Sequence, residues 1–186
     1  MAKAQSEHGS SGPSVQGLVQ VFTGDGKGKT TAALGAVIRA LGQGLRVYIA
    51  FFMKGDYPYG ELRILAQLPN VDLASFGSLD FVDLANIRPQ DREQARQALA
   101  AARKAIFSDK YEVAVLDEIN VALAFGLIPL DEVMALIREK PPKVELILTG
   151  RKASPELVRV ADLVTECLKI KHPYDRGIGS RQGIEY

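Results

Sequence analysis

The stretch that decides the fold is Thr23-Gly24-Asp25-Gly26-Lys27-Gly28-Lys29-Thr30-Thr31. An apolar run, Leu18-Val19-Gln20-Val21-Phe22, precedes it, and a helix-like run, Ala32 to Leu41, follows. A strand, a glycine-rich turn and a helix in that order form a phosphate cradle. Glycines let backbone N–H groups turn toward one anion, and the helix N-terminus adds partial positive charge. Lys29 is placed to reach a terminal phosphate and the Thr30 hydroxyl to hold a magnesium ion. Gly28, Lys29 and Thr30 match the pattern G-x-x-x-x-G-K-[ST], but Thr23 stands where its first glycine belongs. Lys27 adds a second cation for a polyphosphate. The alternative is a glycine-rich turn that binds nothing.

Working outward, apolar segments alternate with helical ones. Strands are expected at 18–23, 45–52, 71–76, 112–117, 144–149 and 163–170. Runs such as Val113-Ala114-Val115-Leu116 and Leu146-Ile147-Leu148 are apolar throughout, as strands of a parallel sheet covered on both faces are. Helices are expected at 29–41, stopped by Gly42 and Gly44, and at 89–107, opened by Pro89. The second puts Ala95, Leu99, Ala102 and Ile106 on one stripe and Arg92, Arg96 and Arg103 elsewhere. Further helices are expected near 129–140 and from Ser154-Pro155. The order implies an α/β protein, a three-layer α/β/α P-loop NTPase-like domain with a mostly parallel, RecA-like sheet. Residues 1–16, rich in Ser, Gly and Gln, read as a flexible arm, and 17–186 as the domain. Ligands of such sheets bind beyond the strands' carboxyl ends. The segments 23–31, 53–61, 76–82, 117–120, 149–152 and 171–176 should therefore converge.

Bulk properties narrow the function. The net charge is +1 over 186 residues, with 47% hydrophobic and 24% charged residues. No global field points to nucleic acid or a membrane, and no basic stripe with interleaved aromatics appears. No apolar run is long enough to span a bilayer, and the N-terminus lacks the apolar core of a secretion signal. The single cysteine, Cys167, excludes an internal disulfide and fits a cytoplasmic location. It lies in an apolar run and reads as a core thiol.

Other segments carry chemistry. Asp117 and Glu118 end an apolar strand, where one carboxylate of a P-loop site meets magnesium opposite Thr30. The sequence does not rank the two, and a helix cap for the segment from Ile119 is the plainer role for Asp117. Arg151 and Lys152, after another buried strand, suit charge neutralisation at phosphate, Arg151 as a fork. The loop Phe51 to Glu61 brings Lys54 and aromatics that suit one wall of a pocket or merely end a core strand. His172, in Lys171-His172-Pro173-Tyr174, reads as a hydrogen-bonded rim residue rather than a general base. No cysteine–histidine cluster implies zinc.

Taken together, these motifs resemble the P-loop type of corrinoid adenosyltransferase, also called cob(I)alamin or cob(I)yrinic acid a,c-diamide adenosyltransferase. The resemblance covers about residues 17–186. It rests on Thr23 to Ala33, Phe52-Met53-Lys54-Gly55 with Gly60-Glu61, Val115 to Glu118, Leu130 to Val133 and Leu148 to Arg151. It also rests on Ala161 to Glu166, Lys171 to Ile178 and the closing Gln182-Gly183-Ile184-Glu185-Tyr186. The chain departs from the family in Asp25, where Asn is frequent, and in having no tryptophan. A Gly-Phe-Thr-Trp segment of bacterial members corresponds to Phe76 to Asp83, where Phe81 is the candidate substitute on the corrinoid side.

The resemblance implies that Co(I) of a reduced corrinoid attacks the 5′ carbon of ATP and triphosphate leaves. Gly24, Asp25, Gly26, Lys27, Gly28, Lys29, Thr30 and Thr31 would hold the triphosphate, and Lys29 with Arg151 would stabilise it as it departs. Thr30 with Asp117 or Glu118 would hold Mg2+. Lys54, Phe81, Lys171 and His172 complete the expected binding set. A homodimer and an electron donor such as a flavoprotein are the implied partners. An ATP-dependent kinase or NTPase on the same scaffold, or a nucleotide-binding regulatory module, is the alternative.

Overall fold

A computed structural model describes residues 16–55, 57–78, 82–83 and 86–186. Phe81 and residues 1–15 of the expected arm lie outside the described residues. Six strands form one sheet in the order β3-β2-β4-β5-β1-β6. They are β1 Val19–Thr23, β2 Val47–Phe51, β3 Val71–Ser75, β4 Val113–Asp117, β5 Glu145–Thr149 and β6 Leu163–Glu166. Every pairing is parallel, so the mostly parallel sheet expected is wholly so among the described residues. The helices are α1 Lys29–Gly42, α2 Gly60–Leu65, α3 Pro89–Ile106, α4 Ile119–Ala124, α5 Leu130–Glu139 and α6 Pro155–Val160, followed by a 3-10 turn at Pro173–Arg176.

The central strands are covered on both sides, and their alternation divides the core in two. Tyr48, Ala50, Ala114, Leu116, Leu146 and Leu148 face α3, α4 and α5. Their sequence neighbours Val47, Ile49, Val113, Val115 and Ile147 face α1 and α2. Two faces with two separate cores make the three layers. The stripe expected on α3 is buried, and Ala98 and Ala105 extend it. Its small side chains let the helix lie close on β2.

The last strand is where the apolar pattern misleads. β6 ends at Glu166 rather than 170, and all four of its residues are exposed. Among the described residues it is the edge of the sheet and pairs with β1 alone. Beyond it the chain leaves the sheet and passes the phosphate loop, so Cys167 is half-buried there and is not a core thiol. Gly26 N–H donates to the Cys167 carbonyl at 2.7 Å. A Cβ on Gly24 would lie 2.5 Å from that oxygen, and one on Gly26 would lie 2.5 Å from the Leu168 carbonyl. Glycine at 24 and 26 is therefore required by close approach of another backbone as well as by the turn.

Candidate nucleotide site

Thr23 shows why the loop tolerates the lost glycine. It is the last residue of β1, and its Oγ1 accepts a hydrogen bond from Ala153 N–H at 3.1 Å. The side chain thus ties the β1 end to the loop after β5. The tight turn is made instead by Gly24, at φ 92°, and Gly28, at φ 121°. Gly28 caps α1 directly, so the first amides of the helix open onto the loop.

Beyond this helix end lies a cavity of about 590 Å³, within the range of small-molecule sites. Gly26 to Thr31 form its floor, and Lys54, Tyr59, Gly60, Glu61, Glu118, Arg151 and His172 form its sides. Gly183, Ile184, Glu185 and Tyr186 close the remaining wall. The strand-end rule therefore predicts most of the rim. Phe76, Gly77 and Ser78, from the expected 76–82 segment, do not line the cavity. Gly24, Asp25 and Lys171 do not line it either, and Asp25 and Lys171 are exposed.

The floor is cationic and partly dry. Lys29 is only 7% exposed, and its Nζ donates to the Gly26 carbonyl at 2.6 Å. Burial lowers its pKa; Glu118 opposes that shift and the nearby Arg151 adds to it. A desolvated ammonium in such a pocket gains by meeting an anion. Lys27, by contrast, already has partners. Its Nζ sits 3.0 Å from both Glu185 Oε1 and the Ile184 carbonyl. Three bonds from Arg181 also hold Glu185, and they lead the causes that bring its pKa down to about 2.

The two carboxylates at the end of β4 have different surroundings. Asp117 is 1% exposed and does not line the cavity. Its Oδ2 lies 2.8 Å from Lys54 Nζ, and its Oδ1 accepts from Thr149 Oγ1 at 2.7 Å. Lys54 is therefore a counter-ion before it is a ligand group. Burial pulls its pKa down, but Asp117, by charge and hydrogen bond, together with Glu61 3.7 Å away and Tyr59 outweighs this, and the net shift is upward. Its ammonium also rests over the rings of Phe51 and Tyr59. Glu118 does line the cavity. Burial, reinforced by Asp117, raises its pKa, while Lys54, Lys29 and Arg151 act the other way. No side chain caps α4, so the plain helix-cap role weighed for Asp117 does not hold.

His172 behaves as the rim residue expected. Its Nδ1 accepts from Tyr174 N–H at 3.2 Å and caps the 3-10 turn. The wall that sequence reasoning missed is the C-terminal one. Tyr186 packs edge-on against Tyr57, which packs against Tyr59. The closing Gly-Ile-Glu-Tyr was legible only as part of the family resemblance, because nothing local in it signals a ligand.

With this geometry in place, comparison with known proteins decides the family. The model of the family described as "ATP:corrinoid adenosyltransferase BtuR/CobO/CobP" matches residues 15–186. The chain belongs to this family. It is 34% identical over 171 residues to a corrinoid adenosyltransferase of Escherichia coli (strain K12), covering 92% of this chain and 86% of that protein. It is 38% identical over 174 residues to one of Sinorhizobium sp, covering 92% and 81%. A corrinoid adenosyltransferase of Pseudomonas aeruginosa is 34% identical over 171 residues, covering 92% and 84%. As a P-loop corrinoid adenosyltransferase family member, the chain shares the three-layer fold and the phosphate loop expected of it. Among the described residues, no helix is long and apolar enough to cross a membrane.

Proposed function

We propose that this protein transfers the 5′-deoxyadenosyl group of ATP to Co(I) of a reduced corrinoid, cobalamin or cobyrinic acid a,c-diamide, and releases triphosphate. The observation that carries the reading is the desolvated Lys29 at the floor of a cavity bounded by Gly26 to Thr31, Glu118 and Arg151, in a chain of this family. In the reaction, the cobalt lone pair attacks C5′, the C5′–O bond breaks, and its electron pair leaves on triphosphate. Co(I) is itself the nucleophile, so no activating base is required. What remains for the protein is alignment of cobalt, carbon and leaving oxygen, and stabilisation of charge on the leaving group.

The side chains divide this work. Lys29, Thr30, Thr31 and the loop amides grip the triphosphate, and Arg151 at the cavity side adds a fork of donors. Lys27 contributes charge at the rim while paired to Glu185. The donor set also fits a magnesium ion. Thr30 and Glu118 line the same cavity, and the Glu118 carboxyl is destabilised by burial as an anion awaiting a cation is. Mg2+ takes few protein ligands besides phosphate oxygens and water. Of the two carboxylates, Glu118 is the one we assign to it, since it lines the cavity, whereas Asp117 does not and is ion-paired to Lys54. When bound, magnesium supplies charge neutralisation of the polyphosphate. The reading extends to a reductant for cobalt, such as a flavoprotein, and to a homodimer. The exposed apolar side chains Leu163, Val164, Leu168 and Ile170 on and beyond the edge strand support the latter.

Lys29→Ala tests the grip on the leaving group. Transferase activity should fall at least about a hundredfold, as on loss of one donor to developing charge, with ATP binding weakened in calorimetry. Unchanged turnover in this variant would remove the phosphate loop from the mechanism.

A further inference from the structure

The backbone of Glu118 is unusual. It lies in the left-handed region, at φ 65° and ψ 15°, directly after a buried strand. A side chain with a Cβ adopts this region only where its surroundings hold it there. Those surroundings form a chain of polar contacts across three adjacent strands. Lys54, after β2, sits 2.8 Å from Asp117 Oδ2 at the end of β4. Thr149, the last residue of β5, gives its hydroxyl proton to Asp117 Oδ1 at 2.7 Å. The same hydroxyl oxygen accepts from Glu118 N–H at 2.9 Å. The polarity is fixed: an ionised carboxylate only accepts and a backbone N–H only donates, so Thr149 must join the two.

The next residue of β5 completes the arrangement. Gly150 has φ 124°, and a Cβ there would lie 3.2 Å from Glu118 Oε2 and 3.1 Å from Asn120 Cβ. The positive φ at 150 favours glycine, and any side chain there would crowd the Glu118 carboxyl and the Asn120 side chain by a few tenths of an ångström. Asn120 fastens the same corner by donating from Nδ2 to the Gly150 carbonyl at 3.0 Å.

We infer that Thr149, through Asp117 and its counter-ion Lys54, is a positioning residue that aims the Glu118 carboxylate at the metal of the nucleotide site. This rests on the assignment of Glu118 to magnesium made above. Thr149 is fully buried, so it acts by orienting residue 118 and touches no substrate. A buried threonine that merely satisfied its neighbours would affect stability but would not single out the metal.

The test is calorimetric and needs no corrinoid. ATP affinity is measured with and without Mg2+ for the wild type, Thr149→Val, Thr149→Ser and Glu118→Gln, each checked for a folded melting transition. Thr149→Val is close in shape and lacks the hydroxyl; Thr149→Ala serves if it does not fold. The hydroxyl-free variant should lose about tenfold or more of the tightening that Mg2+ gives ATP, in line with loss of an orienting partner at a metal site. Its affinity without Mg2+ should be unchanged, and Thr149→Ser should restore the magnesium effect. Full magnesium enhancement in the hydroxyl-free variant, or equal loss with and without Mg2+, overturns the inference. If Glu118→Gln loses the enhancement while Thr149→Val keeps it, only the positioning role fails. If Glu118→Gln keeps it, the metal assignment fails and the positioning role goes with it.

Discussion

At the scale of single residues, the surroundings of a side chain decide what it can do, and the sequence shows them only in part. Asp117 and Glu118 are adjacent carboxylates that sequence cannot rank. Burial of one against Lys54 and Thr149 leaves the other facing the cavity. The ranking depends on residues some 30 to 65 positions away along the chain, beyond any local pattern. Lys29, by contrast, is readable from its motif because the loop that buries it is local. The same contrast appears in Asp91, at the start of α3. It accepts from the Arg88 backbone N–H at 3.0 Å, from Arg88 Nε at 3.1 Å and from Nη2 at 2.8 Å. The Arg88 side chain leads the causes that hold its pKa below the usual carboxylate value. The folded carboxyl ionises at lower pH than the unfolded one, so its stabilisation is complete above the ordinary range and fades as pH falls through the depressed folded value. Asp91→Asn should cost about 1–3 kcal/mol in denaturant unfolding at neutral pH. The gap to wild type should close only in acid, below about pH 4. A gap that stayed constant down to pH 2 would show that the charge plays no part.

At the scale of elements, the closing segment has the least sequence signal and a large share of the site. Gly183 to Tyr186 form one wall of the cavity. They are held by Lys27, by Arg181 through Glu185, and by the Tyr57–Tyr186 ring contact. The segment is otherwise exposed and has no regular structure that periodicity could reveal. Removing residues 183–186 should therefore leave the sheet and its melting transition largely intact, since its contacts are at the surface. ATP binding should weaken by about tenfold, a loss of roughly 1.4 kcal/mol. Unaltered ATP affinity in the truncated chain would mean that this wall is passive. The edge strand gives the opposite lesson. Leu163 and Val164 belong to an apolar run expected to form a strand with a core thiol, but they lie at the sheet's margin and are exposed. Apolar composition reports that a strand exists, and only topology reports whether both of its faces are covered.

At the scale of the whole molecule, the fold was legible because its signals agree. Six apolar segments spaced by helical ones permit little besides a parallel sheet between helices. Strand order was not legible. The sheet places β5 between β1 and β4, which brings Thr149 between the phosphate loop and the carboxylates and gives Glu118 its orientation. The central claim is that the loop grips three linked phosphates as a leaving group, and product identity tests it most directly. ATP, Mg2+ and chemically reduced cobalamin are incubated with the protein without oxygen, and the phosphorus products are followed by NMR. The account predicts one triphosphate released for each adenosylated corrinoid formed. ADP and phosphate in place of triphosphate, with the corrinoid unmodified, would contradict it.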